Sequence, residues 1–164
     1  FLLGGCELGV NPLLFDGAPI TAKFRVDKTT TVYADSVSLN LQDALGALSK
    51  EIDSVKVFNI TLQIDSLTDG TKDTTKITGE AKLDGLTLFT VTTVALSSFS
   101  SERSIFDNTL TGFSYNAPGV NHLISLLHQN PLPTVKLVIA GTANNSNLHF
   151  TTKLKLYTQV FTTP

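Results

Sequence analysis

From Ile20 onward the chain alternates apolar and polar positions with a period of two. That is the signature of half-buried strands, whose successive side chains point to opposite faces. Ala22, Phe24 and Val26 share one face, and Lys23, Arg25 and Asp27 share the other. A second strand spans 30–39, with Val37 and Leu39 on one face. Over 56–65 the alternation is cleanest: Phe58, Ile60, Leu62 and Ile64 on one side, Val57, Asn59, Thr61 and Gln63 on the other. Residues 76–83 put Ile77, Gly79, Ala81 and Leu83 inward and Lys76, Thr78, Glu80 and Lys82 in water. A turn at Asp84-Gly85 leads into 86–96, which is apolar on both faces and so predicted to be central. The last two strands, 135–143 and 148–160, are joined across Asn144-Asn145-Ser146-Asn147. Asparagine tolerates the left-handed conformations of tight turns, so this run predicts a hairpin. The run Asp65-Ser66-Leu67-Thr68-Asp69-Gly70 is read the same way, since it lacks the terminal glutamate and acidic spacing of a calcium-binding EF-hand loop.

Two segments break the alternation. Leu41, Leu45, Leu48 and Ile52 form a helical stripe, with Asn40 as N-cap and Asp43 three residues on. Val120, Leu123, Ile124 and Leu127 form a second, entered through Asn116-Ala117-Pro118 and stopped by Asn130-Pro131. Both read as covers over an open end. The fold predicted is mainly β: an antiparallel β-sandwich, Ig-like or a partly open barrel, of about seven or eight strands with two short helices. Residues 20–164 form one domain. Residues 1–19, with turn-rich Gly9-Val10-Asn11-Pro12 and Asp16-Gly17-Ala18-Pro19, read as a signal remnant and tether or as an N-terminal strand.

Composition changes the picture in two ways. Charged residues are only 16% of the 164, against about 25% in an average domain. Their place is taken by 23 threonines and 13 serines, which suit a pleated surface and suggest an exported protein with a hydroxyl-rich exterior. A net charge of −2 excludes the basic footprint of a nucleic-acid binder. A single cysteine excludes a disulfide within the chain, and no Cys/His cluster suits zinc. No stretch approaches the ~20 apolar residues of a membrane-spanning helix.

No methionine occurs, even at position 1, which predicts a processed or trimmed chain. At the front stands Leu3-Gly4-Gly5-Cys6, behind the apolar Phe1-Leu2. This resembles the lipobox of bacterial lipoproteins, in which a large aliphatic residue and two small ones precede the cysteine that receives the lipid. The resemblance is confined to those four residues and implies Cys6 as the lipid-attachment site, export to the cell envelope, outer membrane or cell surface, and a membrane anchor through that lipid. Alternatively, Cys6 is a buried cysteine in an apolar first strand.

The remaining chemistry is sparse. His122 and His128 lie six apart on a predicted helix and point about 120° apart, so they cannot share a metal; His149 lies on a strand without a ligand-spaced carboxylate. There is no Gly-x-Ser-x-Gly elbow, phosphate-cradling loop or dinucleotide fingerprint. Phe89, Phe99, Phe106, Phe113 and Phe150 read as core, with an apolar pocket as the alternative. The absence of tryptophan weighs against a stacked-aromatic carbohydrate platform. Two glycosylation-type triplets, Asn59-Ile60-Thr61 and Asn144-Asn145-Ser146, are incidental in a bacterium. The expectation is a non-enzymatic protein with no catalytic residues, metal or cofactor, which binds or supports envelope or cell-surface partners. Two alternatives stand beside it. One is a fibre or layer subunit, self-assembling by addition of the strand in residues 1–15 to a neighbour's sheet; the other is a carrier of an apolar ligand.

Overall fold

The structure is a computed structural model and describes residues 13–16, 18–46, 52–68 and 70–162. Among them, ten strands form two antiparallel sheets packed as a β-sandwich. In the first sheet β10 (Leu148–Thr162) is central, flanked by β4 (Ile52–Leu67), with β7 (Arg103–Ser104) beyond. The other side of β10 is shared end to end by β1 (Leu13–Asp16) and β2 (Ile20–Lys28). Asp16 faces Gln159 and Ile20 faces Leu156, so the edge gains one residue at a break containing Pro19. Proline has no N–H for the ladder, and sheet edges and bulges are where it is tolerated. β1 and β2 are thus two halves of one edge strand, and this sheet is four positions wide.

The second sheet runs β3 (Val32–Asn40), β9 (Thr134–Ala143), β5 (Lys76–Leu83), β6 (Leu86–Ala95), β8 (Phe113–Tyr115). The extra strands relative to the pattern are short: β1, β7 and β8 carry too few residues to show a period. The alternation places faces correctly in β2, β3 and β5, where Ala22, Phe24, Val26, Ile77, Ala81 and Leu83 are buried. In β4 it fails at one point. Leu156 faces Ile60 and Tyr157 faces Asn59, but Thr158 faces Val57, so Phe58 is an extra residue in a β-bulge. The bulge turns Phe58 outward, leaving it 49% exposed while Ile60, Leu62 and Ile64 stay buried.

Two predicted hairpins are crossings instead. β9 already has β3 and β5 on its two edges, so the chain after it cannot fold back beside it. Asn144–Asn147 carries it to the other sheet, with the Asn144 Oδ1 accepting the Lys76 N–H (2.9 Å) and Asn147 at φ +64. The chain likewise crosses between β4 and β5, which belong to different sheets. The Thr71 hydroxyl ties the two crossings together, donating to the Asn147 carbonyl (3.1 Å) and accepting the His149 N–H (2.7 Å). Asp84-Gly85, with positive φ at both residues, does form the predicted hairpin turn between β5 and β6.

The first helix is shorter than its stripe. α1 (Leu41–Leu45) starts under Asn40, whose Oδ1 accepts the Gln42 and Asp43 N–H groups (3.0 and 3.3 Å). It stops at Gly46, at φ +62, a C-terminal conformation that favours glycine. Ile52 begins β4 opposite Thr162, and Leu48 lies outside the described residues. α2 (Ala117–Leu126) has Asn116 capping Gly119 (3.2 Å) and buries Val120, Leu123 and Leu126. α1 continues from the end of β3, and Gly119 of α2 lies against the backbone of Thr87 and Leu88 at the start of β6, leaving no space for a Cβ. Both helices therefore cover the same end of the sandwich, the end at which β4 begins and β10 finishes.

Between the sheets lies a cavity of about 30 Å³ bordered by Tyr33, Gly79, Phe89, Val91, Ile139 and Phe150. Ligand cavities usually measure about 300–1,000 Å³, so this one has room for a water, not for an apolar cargo. Phe89, Phe99 and Phe113 fill the neighbouring core with edge-on ring contacts at 5.3 and 5.5 Å.

Candidate functional site

The sandwich has two open sides, and they are finished differently. On one side the edge strands β2 and β3 meet. On the other, a strap follows β6: a 3-10 turn (Leu96–Phe99), then Ser100 to Asp107, with β7 within it. Phe99 and Ile105 are its buried anchors, and the Ile105 N–H donates to the Ile60 carbonyl (2.9 Å), continuing the edge of β4.

Between those anchors the strap reaches over β4 to β10. The Glu102 carboxylate receives the Tyr157 hydroxyl (2.7 Å) and the Lys155 ammonium. The Lys155 hydrogen bond is the main cause holding the Glu102 carboxyl below the usual carboxylate range, and Glu102 in turn raises both Lys155 and Tyr157 above their ordinary values. All three shifts favour the charged pair and the neutral phenol. That is the pattern of a tie between the strap and β10. Farther along, the Ser104 hydroxyl donates to the Asn59 Oδ1 (2.6 Å) and accepts the Phe106 N–H (3.2 Å). Asp107 ends the strap, accepting from the Thr109 hydroxyl (2.6 Å) and N–H (2.9 Å); these bonds hold its carboxyl low.

The strap links two aromatic pairs on the surface. Phe58, turned out by its bulge, lies 5.9 Å from the Tyr157 ring. Phe106 and Tyr115, 39% and 50% exposed, meet edge-on at 5.2 Å and bridge from one sheet to the other. The chain of bonds Asn59–Ser104–Phe106 connects the two pairs. Aromatic rings supply large contact area at little conformational entropy and are enriched at interaction surfaces. Of the five phenylalanines read as core, Phe106 is the exception: it lies past the last anchor of the strap, outside the sandwich.

The other residues singled out from the sequence are dispersed. Cys6 lies outside the described residues. His122 is half-buried on α2, and the His128 Nδ1 lies 2.8 Å from the Ile124 carbonyl. The His149 Nδ1 is 2.7 Å from the Asp27 carboxylate across β10 and β2. The adjacent cross-strand hydroxyls, Ser66 and Thr151, are bonded to each other (2.8 Å), so they do not extend this pair toward a nucleophile. Among the described residues, no group of three His, Cys, Asp or Glu side chains could hold a metal, and no helix is long and apolar enough to cross a membrane. Asn59 and Asn144 each spend their side-chain oxygen on an internal hydrogen bond. Sequence reasoning missed Glu102, Tyr157 and Tyr115 altogether; the one available signal was a lone carboxylate, Glu102, within a run of serines.

The described residues thus define an antiparallel β-sandwich with two helices over one end and an aromatic, hydroxyl-rich flank. No family model matches the chain, and no curated protein matches it. Among solved structures it is similar to a chain of Desmodium yellow mottle tymovirus, at 12% identity over 99% of this chain and 95% of that one, with a TM-score of 0.42. A chain of turnip yellow mosaic virus matches at 14% identity over 100% and 88%, with a TM-score of 0.37. The structure of the same virus at 100 K matches at 13% identity over 90% and 95%, with a TM-score of 0.33. The likeness is distant, and nothing about role follows from it.

Proposed function

We propose that this protein is a non-enzymatic docking or support unit of the cell envelope, exported and anchored through a lipid on Cys6, whose partner is a larger cell-surface or outer-membrane assembly. The observation that carries the docking role is the flank formed by Phe58–Tyr157 and Phe106–Tyr115, two outward aromatic pairs tied to one strap. The nearly filled interior, with a cavity of about 30 Å³, supports a role at the surface.

The anchor rests on the lipobox resemblance and agrees with the position of β1. Leu13 pairs with Thr162 at the helix-covered end. Cys6 precedes Leu13 by seven residues, which reach at most about 25 Å. A lipid there holds the helix-covered end toward the bilayer and turns the threonine-rich crossings outward. Strand donation by residues 1–15 is the less favoured reading, because Leu13–Asp16 pairs with β10 of its own chain.

Intact mass of the protein from its native cells tests the anchor. A chain beginning at Cys6 and carrying a diacylglyceryl or triacyl adduct is expected. An unmodified chain that retains Phe1 overturns it.

A further inference from the structure

β3 is the one long strand, among those described, with an uncovered edge and no charge on its outer face. Its other side is set by the Thr31 carbonyl accepting the Ala143 N–H and by the Leu41 N–H donating to the Pro133 carbonyl. Odd-numbered residues therefore bond to β9, and Val32, Ala34, Ser36 and Ser38 turn their backbone groups away from it. Their side chains are exposed, small and neutral, apart from Val32 at 60% exposure. The remaining sheet edges are short, as in β1, β7 and β8, or charged, as in β2 with Lys23, Arg25, Asp27 and Lys28 and in the stretch of β4 that β7 leaves unpaired, with Lys56. A long, neutral, uncovered edge is a template for another strand, and folded proteins commonly blunt it with an inward-turned charge.

Asp35 is that charge. It shares the inward side of β3 with Tyr33, Val37 and Leu39, and it is half-buried. Its Oδ1 accepts the Ser36 N–H (2.8 Å), an edge group of its own sheet. Its Oδ2 accepts the Arg25 N–H (2.8 Å), an edge group of β2 in the other sheet. One carboxylate thus closes both edges where the sheets meet, through two charge-assisted bonds.

We propose that β3 is a latent self-association edge, kept closed by Asp35, and that its occupant when open is β3 of a second copy, antiparallel about Ser36. Self-complementarity supports this occupant. That register sets Ser36 opposite Ser36, Ala34 opposite Ser38 and Val32 opposite Asn40 on the outer face, with Asp35 opposite Val37 on the inner, so no like charges meet. The same operation on β2 about Arg25 would oppose two guanidinium groups. Removing the Asp35 carboxylate leaves the Arg25 and Ser36 N–H groups without that acceptor; on β3, the Ser36 carbonyl of the second copy then accepts the Ser36 N–H. The inference depends on neither the lipid anchor nor the aromatic flank.

Sedimentation velocity over a concentration series is the test. The unaltered protein is expected to remain monomeric, and Asp35→Ala to dimerise at concentrations lower by about tenfold or more. Adding Ser36→Lys to Asp35→Ala sets two cations face to face and is expected to restore the monomer, while adding Lys23→Ser on β2 leaves the dimer. A folded Asp35→Ala chain that stays monomeric overturns the proposal, as does a dimer indifferent to Ser36→Lys. Should Asp35→Ala fail to fold, amide exchange on the unaltered protein decides: Arg25 and Ser36 protected relative to Ala34 and Ser38 supports the closure, and equal exchange overturns it.

Discussion

Two facing glycines of the second sheet leave no room for a side chain. Gly79 of β5 and Gly141 of β9 face each other across the ladder on the inner side of their sheet, and the Tyr33 hydroxyl occupies the space their Cβ atoms would need. An added methyl would meet the opposing backbone at either position. Gly141→Ala is therefore expected to destabilise the fold by roughly 1–3 kcal/mol, through overpacking, as read by chemical denaturation. The Tyr33 ring also packs edge-on against Phe150 at 6.0 Å, and burial pushes its phenol up to about 12. The unfolded chain ionises Tyr33 near pH 10, so the folded state binds more protons between pH 10 and about 12. Stability contributed by the buried phenol is full below pH 10 and is lost as pH rises through that window, by roughly 3 kcal/mol. Unfolding of Tyr33→Phe should lack that part of the alkaline decline; an unchanged pH profile would remove Tyr33 as its source. Gly79 was readable as an inward position from its place in the alternation. The role of Tyr33 was not, because it depends on three strands brought together from distant parts of the chain.

The strands themselves were largely legible, and their partners were not. A period of two reports which face a residue occupies, and it says nothing about which sheet the strand joins. The Asn144–Asn147 run predicts a hairpin, yet the chain passes there between sheets, since both edges of β9 are taken. The bulge at Phe58 was hidden for a related reason: an inserted residue breaks the register only relative to a partner, here β10. The helices divided similarly. The Asn40 cap and the helix entry at Asn116-Ala117-Pro118 are local signals and both are present, whereas the continuation of the first stripe to Ile52 gives way to pairing with β10. The strap is tied to β10 by charge, through Glu102. Glu102 is held low, so its contribution is present above the ordinary glutamate range and lost only as pH falls through its lowered value; those of Lys155 and Tyr157, held high, are lost as pH rises through their raised values. Glu102→Gln is expected to cost about 1 kcal/mol at neutral pH, discounted for partial exposure. The difference from the unaltered protein should vanish in strong acid. Equal denaturation midpoints at neutral pH would deny the tie any energetic role.

At the scale of the whole molecule, the low charge and abundant hydroxyls acquire a location. Threonine and serine line the outer faces and the crossings at the end away from the helices; of the exposed large apolar side chains, Phe58, Phe106 and Tyr115 gather along the strap side, while Val32 and Leu86 stand apart on β3 and β6. The opposite side is closed by the polar Asp35 bridge. This asymmetry was not legible in the sequence, because Phe58, Glu102, Tyr115 and Tyr157 lie on separate elements and each alone looks like an ordinary strand or loop residue. Docking through the aromatic flank, as proposed above, would engage the whole strap side of the molecule. It is tested most directly by site-specific photo-crosslinking in native cells, with the reactive group placed in turn at Phe58, Phe106 and Thr92, the last on the exposed outer face of the second sheet. One shared, discrete crosslinked partner is expected at Phe58 and Phe106, and none at Thr92. No discrete partner at the flank positions, or an equal yield at all three, would contradict it.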